Sequence, residues 1–145
     1  MRAGRGFRYA FAIGLLVMVA ACGGGVAVQS PHTIPNARPV ELTEQAILDT
    51  LPRRGWTAEN VQPGRIVAFL ALRQHLLRVE IRYDARQVAI YYVDSDNLEA
   101  HLEPNGIIYA HKAVNRWTEV LARDISAALM APPMTAGGAM APPPR

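Results

Sequence analysis

Leu76-Leu77-Arg78-Val79-Glu80-Ile81-Arg82-Tyr83-Asp84 is the stretch that decides the fold. Leu77, Val79, Ile81 and Tyr83 take every second place, with Arg78, Glu80 and Arg82 between them. A strand turns successive side chains to opposite faces, so this alternation predicts a strand with one dry and one wet side. A sheet built around it needs cover on one face only.

Outward from that strand, Gln87 to Val93 predicts a partner, with Val88, Ile90 and Tyr92 on one side and Ala89, Tyr91 and Val93 on the other. Upstream, Arg65 to Arg73 is rich in Ile, Val, Phe and Leu and reads as a strand apolar on both faces. Trp56 to Val61 predicts a weaker first strand. Pro63-Gly64 and Asp84-Ala85-Arg86 are turn signals. Links this short force antiparallel neighbours, because parallel ones need long crossovers.

Two helical patterns flank the strands. Thr43 is a good N-cap, Glu44 suits the first turn, and Ala46, Ile47 and Leu51 share a face. Pro52 and then Gly55 stop that helix after about two turns. From His111 to Met130, Val114, Trp117, Leu121, Ile125 and Ala128 form one stripe, widened by Val120 and Leu129. Between the last strand and this helix, Asp94 to Gly106 reads as polar and irregular, and Ile107-Ile108-Tyr109 as a short apolar link. The expectation is an α+β domain over residues 43–130. It has two layers: an antiparallel meander of three or four strands, with an N-terminal and a C-terminal helix on one face.

Eight of the 11 prolines lie outside that span. Gly23 to Leu42 holds Pro31, Pro35 and Pro39, so residues 22–42 are expected to form a flexible tether. Ala131 to Arg145 is rich in Pro, Ala and Gly and is expected to be a disordered tail, placed in the domain scheme at 131–145.

At the N-terminus, Arg2, Arg5 and Arg8 precede the apolar run Ala10 to Val19. A basic region, a short apolar region and small residues make a secretory signal, here residues 1–21 with cleavage between Ala21 and Cys22. The run falls short of the roughly 20 apolar residues a spanning helix needs. Val19-Ala20-Ala21-Cys22 resembles the lipobox of bacterial lipoproteins. That resemblance implies a diacylglyceryl thioether and an acylated amine on Cys22, and a place in the cell envelope anchored to a membrane. Gly rather than Asp at position 23 implies the outer membrane, with the domain facing the periplasm. Gly55-Trp56, Pro63-Gly64 and Asn115-Arg116-Trp117 resemble, over residues 44–130, small proteobacterial lipoproteins of no known activity, so this likeness implies no chemistry.

The formal charge of +3 belongs to the signal: without its arginines, 12 basic residues face 12 acidic ones. A near-neutral chain gives no electrostatic footprint for nucleic acid. With Cys22 acylated, no thiol remains for disulfides.

Candidate chemistry is sparse. His32, His75, His101 and His111 share no ligand spacing, so surface or turn roles are expected and no metal site. Asp94-Ser95-Asp96-Asn97 opens like a calcium loop but continues with Leu98 and Glu99 where Asp or Asn and Gly belong. Asp94, Ser95 and His101 are the nearest approach to a nucleophile with base and orienter, without a nucleophile elbow or oxyanion loop. No phosphate-cradling glycine motif is present, and no cofactor is expected. Trp56 and Trp117 read as core.

The wet face of the sheet is the candidate site. Val67, Phe69, Tyr91 and Val93 cannot all join the helix-covered side if alternation holds, and Arg78 and Arg82 share their face. Apolar groups rimmed by charge suggest docking; long arginine stems laid over them are the blander reading. The chain therefore reads as a non-enzymatic envelope lipoprotein, held to the membrane by lipid on Cys22, whose domain is a protein-interaction or assembly module for another envelope protein. A small-ligand or lipid-binding module, with its pocket between helices and sheet, is the alternative, and a hydrolase-like enzyme the third.

Overall fold

The computed structural model describes residues 25–132. The signal sequence, Ala21 and Cys22, and the tail from residue 133 lie outside the described residues.

The fold is α+β with two helices and antiparallel sheets. The meander runs through β3 (Trp56–Gln62), β4 (Arg65–Leu72), β5 (His75–Tyr83) and β6 (Gln87–Asp96). Pro63-Gly64 closes the first hairpin with Gly64 at φ 76°, a left-handed conformation glycine adopts without strain. Asp84 closes the third, its carboxylate accepting from the Arg86 and Gln87 backbone N–H groups at 2.7 and 2.9 Å.

The sheet is larger than the three or four strands expected. β2 (His32–Pro35) pairs with β6 and makes the order β2-β6-β5-β4-β3. Three prolines made this segment read as tether. An edge strand tolerates proline because one side of its backbone needs no ladder partner, and Pro35 ends this one. β1 (Val26–Ala27), β7 (His101–Leu102) and β8 (Ile108–Ala110) form a second, three-stranded sheet in the order β1-β8-β7. The folded unit thus reaches back to Gly25, well before Thr43, and most of the expected tether is structured. The apolar link Ile107-Ile108-Tyr109 is largely strand β8.

Helix α1 (Val40–Thr50) starts three residues before the expected cap. Thr43 lies inside its first turn, fully buried, with its hydroxyl donating to the Pro39 carbonyl at 3.0 Å and accepting from Asn36 Nδ2 at 2.9 Å. A 3-10 turn over Leu51–Arg54 follows, and Gly55 at φ 79° ends it.

Helix α2 (Ala113–Met130) buries Val114, Thr118, Leu121, Ile125 and Leu129. The stripe is rotated from the expected one: Thr118 replaces Trp117 at its centre, and Trp117 lies partly buried, its ring centroid 6.4 Å from that of His75. The extra strand β2 explains the rotation. α2 packs along it, and Thr118 Oγ1 meets His32 Nε2 of β2 at 3.2 Å. The buried hydroxyl is satisfied by donating back to the Val114 carbonyl.

One core joins these parts. Ile47, Leu51, Val114, Leu121 and Ile125 from the helices pack with Ile66, Leu77, Val79, Ile81, Val88 and Ile90 from the sheet, all at 0–1% exposure. Burying a side chain of this size contributes about 1.5–3 kcal/mol. Trp56 is core as expected, and Leu98, inside the stretch read as irregular, is buried too.

Candidate functional site: the open face of the sheet

The residues between the buried alternates form the other face of the large sheet, and their register builds three rungs. Thr57, Phe69, Arg78 and Asp94 stand in one row across β3 to β6. Asn60, Val67, Glu80 and Tyr91 make the next, and Gln62, Arg65, Arg82 and Ala89 the third, continued to Thr33 of β2. Five of the six candidate docking residues, Val67, Phe69, Arg78, Arg82 and Tyr91, are therefore brought together. Val93 departs from them: the register shifts beside it, so it has no partner on β5 and stands exposed at a bulge.

Ion pairs run across the rungs. Arg78 Nε donates to Glu59 Oε2 at 2.8 Å, and Arg78 Nη1 to Asp94 Oδ1 and Oδ2 at 2.7 and 2.9 Å. Glu80 accepts from Arg65 Nε at 2.7 Å and from Arg82 Nε at 2.6 Å. The Arg82 guanidinium also lies over the Tyr91 ring, 4.8 Å from its centroid. Glu59 is on β3 and Arg78 on β5, so their pair bridges over β4, which carries the half-buried Val67 and Phe69. Arginine stems thus cover part of the apolar surface, and what remains is a mixed face.

The electrostatics are balanced in total and polarised along the strands. Arg78 stands between two carboxylates, and Glu80 between two guanidiniums. The end near Asp94 is thus net acidic and the end near Arg82 net basic. Hydrogen bonds from Arg82 and Arg65 hold the Glu80 carboxyl below its ordinary pKa. Hydrogen bonds to Glu59 and Asp94 raise Arg78, and Glu80 does the same to Arg82. On the covered side, burial and a hydrogen bond to Glu44 of α1 push the Tyr83 phenol up to about 12.

Sequence reasoning missed Glu59, Arg65 and Asp94 as members of this face. The alternation in β5 signals Glu80 beside Arg78 and Arg82. Nothing local signals Glu59, because a register shift between Ala58 and Asn60 carries it into reach of Arg78.

The Asp94, Ser95, His101 grouping is not assembled. Asp94 pairs with Arg78, Ser95 Oγ meets the Tyr92 hydroxyl at 2.9 Å, and His101 Nε2 lies 3.3 Å from Glu103. His32, His75 and His111 each engage other partners: Thr118, the Asn97 carbonyl and the Ala113 N–H. Among the described residues no group of three His, Cys, Asp or Glu side chains could hold a metal ion. No described helix is long and apolar enough to cross a membrane. The space between helices and sheet, where the ligand-binding reading puts its pocket, is occupied by the core side chains named above.

No protein-family model matches the chain, and the comparison with curated proteins gives no match.

Proposed function

We propose that the protein is a non-enzymatic lipoprotein of a bacterial envelope, anchored by acyl chains on Cys22, whose periplasm-facing domain docks another envelope protein through the open face of its sheet. The observation that carries this reading is the N-terminal order of Arg2, Arg5 and Arg8, an apolar run, and Val19-Ala20-Ala21-Cys22. A buried acyl chain contributes about 0.8 kcal/mol per CH₂, and two or more chains hold stably where one does not.

The rungs support the docking part of the reading. Phe69, Val67 and Tyr91 supply apolar and aromatic area, and arginines with spare donors flank them. Polarity along the strands favours a partner presenting acid toward Arg65 and Arg82 and base toward Glu59 and Asp94.

Two measurements test it. Mass spectrometry of the mature protein is expected to find two or three acyl chains on Cys22, and Cys22→Ala to move the protein out of the membrane fraction. Crosslinked membranes are then compared for wild type, Phe69→Asp and Tyr91→Asp, each shown to melt cooperatively. Loss of a specific captured protein in both variants is expected; identical capture lists would remove the docking face.

A further inference from the structure

The distance from the anchor to the folded domain says how the domain sits on its membrane. The backbone is pinned from the start of the described residues. Val26 and Ala27 pair with Ala110 and Tyr109, and Val28 N–H donates to the Ile108 carbonyl at 2.8 Å. Asn115 at the start of α2 clamps the same segment, donating to the Ala27 carbonyl at 2.8 Å and accepting from the Gln29 N–H at 2.9 Å. A Cβ on Gly25 would already touch Tyr109 and Ala110 at 3.5–3.6 Å. Only Gly23 and Gly24 separate Gly25 from Cys22. A fully extended chain gains at most about 3.6 Å per residue, so Gly25 lies within about 11 Å of the anchoring cysteine. The headgroup layer on one side of a bilayer is itself about 5–7 Å thick. A leash this short lets Gly25 clear that layer by no more than about 4–6 Å, so the residues around it stay at the membrane surface.

The surface brought down by the leash carries exposed apolar residues beside the polar His101, Glu103 and Asn105. Leu102 of β7 is 69% exposed, Ile107 in the turn before β8 is 42%, and Val26 of β1 is 39%. Tyr109 of β8, stacked on His101 with ring centroids 5.9 Å apart, is in register with Ala27 and His101 and so stands on the other face of the small sheet from Val26 and Leu102; tyrosine favours the headgroup level. We propose that the small sheet β1-β8-β7 rests directly on the bilayer, with Val26, Leu102 and Ile107 entering the headgroup layer. The inference rests on the reading that Cys22 is acylated. It replaces a tethered domain that explores the periplasm with one held flush at the surface. The large sheet then projects outward, because β6 runs from its far end at Gln87 toward the small sheet at Asp96.

The test uses the full acylated chain, checked by mass and reconstituted in phosphatidylethanolamine–phosphatidylglycerol vesicles with headgroup spin-labelled lipid. With Cys22 acylated, an added cysteine is the one free thiol. A fluorophore is placed on Leu102→Cys or on Val61→Cys. Val61 is an exposed residue in register with Ile66, Ile81 and Ile90, at the other end of the strands. Loss of most of the fluorescence at position 102, with little loss at position 61, is the expected result. Leu102→Asp is expected to relieve quenching of a label on Ile107→Cys while the protein stays in the membrane fraction. Equal quenching at 102 and 61 in a chain carrying its acyl groups overturns this inference and leaves the anchor standing. A mass showing no acyl groups overturns the anchor and this inference with it.

Discussion

The two faces of the large sheet are made from alternate residues of the same strands, yet they obey different physics. On the covered face Ile66, Ala68, Leu77, Val79 and Ile81 are fully buried against the helices. On the open face their neighbours Val67, Phe69, Arg78, Glu80 and Arg82 keep contact with solvent, and ion pairs hold the three charged ones. The difference teaches that backbone pairing is common to both faces while stability is concentrated on one. The covered face cannot change without opening a cavity. The open face can change its side chains with the fold intact, which leaves it free to be shaped by a partner.

The sharpest way to break this contrast is to cut equally into both faces. Ile81→Ala, on the covered face, is expected to lower unfolding stability by about 2–5 kcal/mol in urea titration, because a buried cavity forms. A loss below 1 kcal/mol would mean the faces are not so unequal.

Asn36 comes next. It links the entry to α1 with the β5–β6 turn through Thr43, the Asp84 carbonyl and the Arg38 N–H. Asn36→Ala leaves those partners short and is expected to cost about 1–3 kcal/mol. Phe69→Ala, half-buried on the open face, is expected to cost about 1 kcal/mol or less, with the denaturation slope unchanged. Near-equality with Ile81→Ala would erase the distinction.

The two faces also answer to opposite ends of the pH scale. Tyr83 sits on the covered side with its folded pKa raised from 10.0 to about 12. The folded state then holds a proton that the unfolded state has lost. Its contribution is complete below pH 10 and fades as pH rises toward 12, and Tyr83→Phe is expected to remove that alkaline slope from thermal melts. Glu80 is on the open face with its pKa lowered by Arg82 and Arg65. Its contribution is present above its ordinary pKa of 4.5 and is lost as pH falls through the lower folded value. Glu80→Gln is expected to flatten the acid limb by the smallest of these changes, and less still in high salt, since exposed pairs are screened.

Much of the covered face is legible in the sequence. The alternation of Leu77, Val79, Ile81 and Tyr83 gave the dry side of β5, and every one of them is buried. Val114, Leu121 and Ile125 likewise belong to the core face of α2. The candidate site was readable in part: Val67, Phe69, Arg78, Arg82 and Tyr91 share a face, while Val93 falls at the bulge without a partner on β5. Glu59 and Asp94 meet Arg78 only because β3 and β6 each carry a register shift. A shift of one residue reverses which side chains face each other, and nothing near it in the chain announces it.

By itself the sequence determined the periodic parts: an antiparallel meander of three or four strands, its tight turns, α2, and which side of β5 is dry. Those features are written in neighbours two, three and four residues apart, where hydrophobic spacing acts directly. The tertiary structure alone decided that His32–Pro35 joins the sheet, that Val26–Ala27 and Ile108–Ala110 pair, and that Thr118 rather than Trp117 faces inward. Short strands carry too few residues to show a period. Their conformation comes from partners far along the chain, which exist only once the sheet and helices have come together.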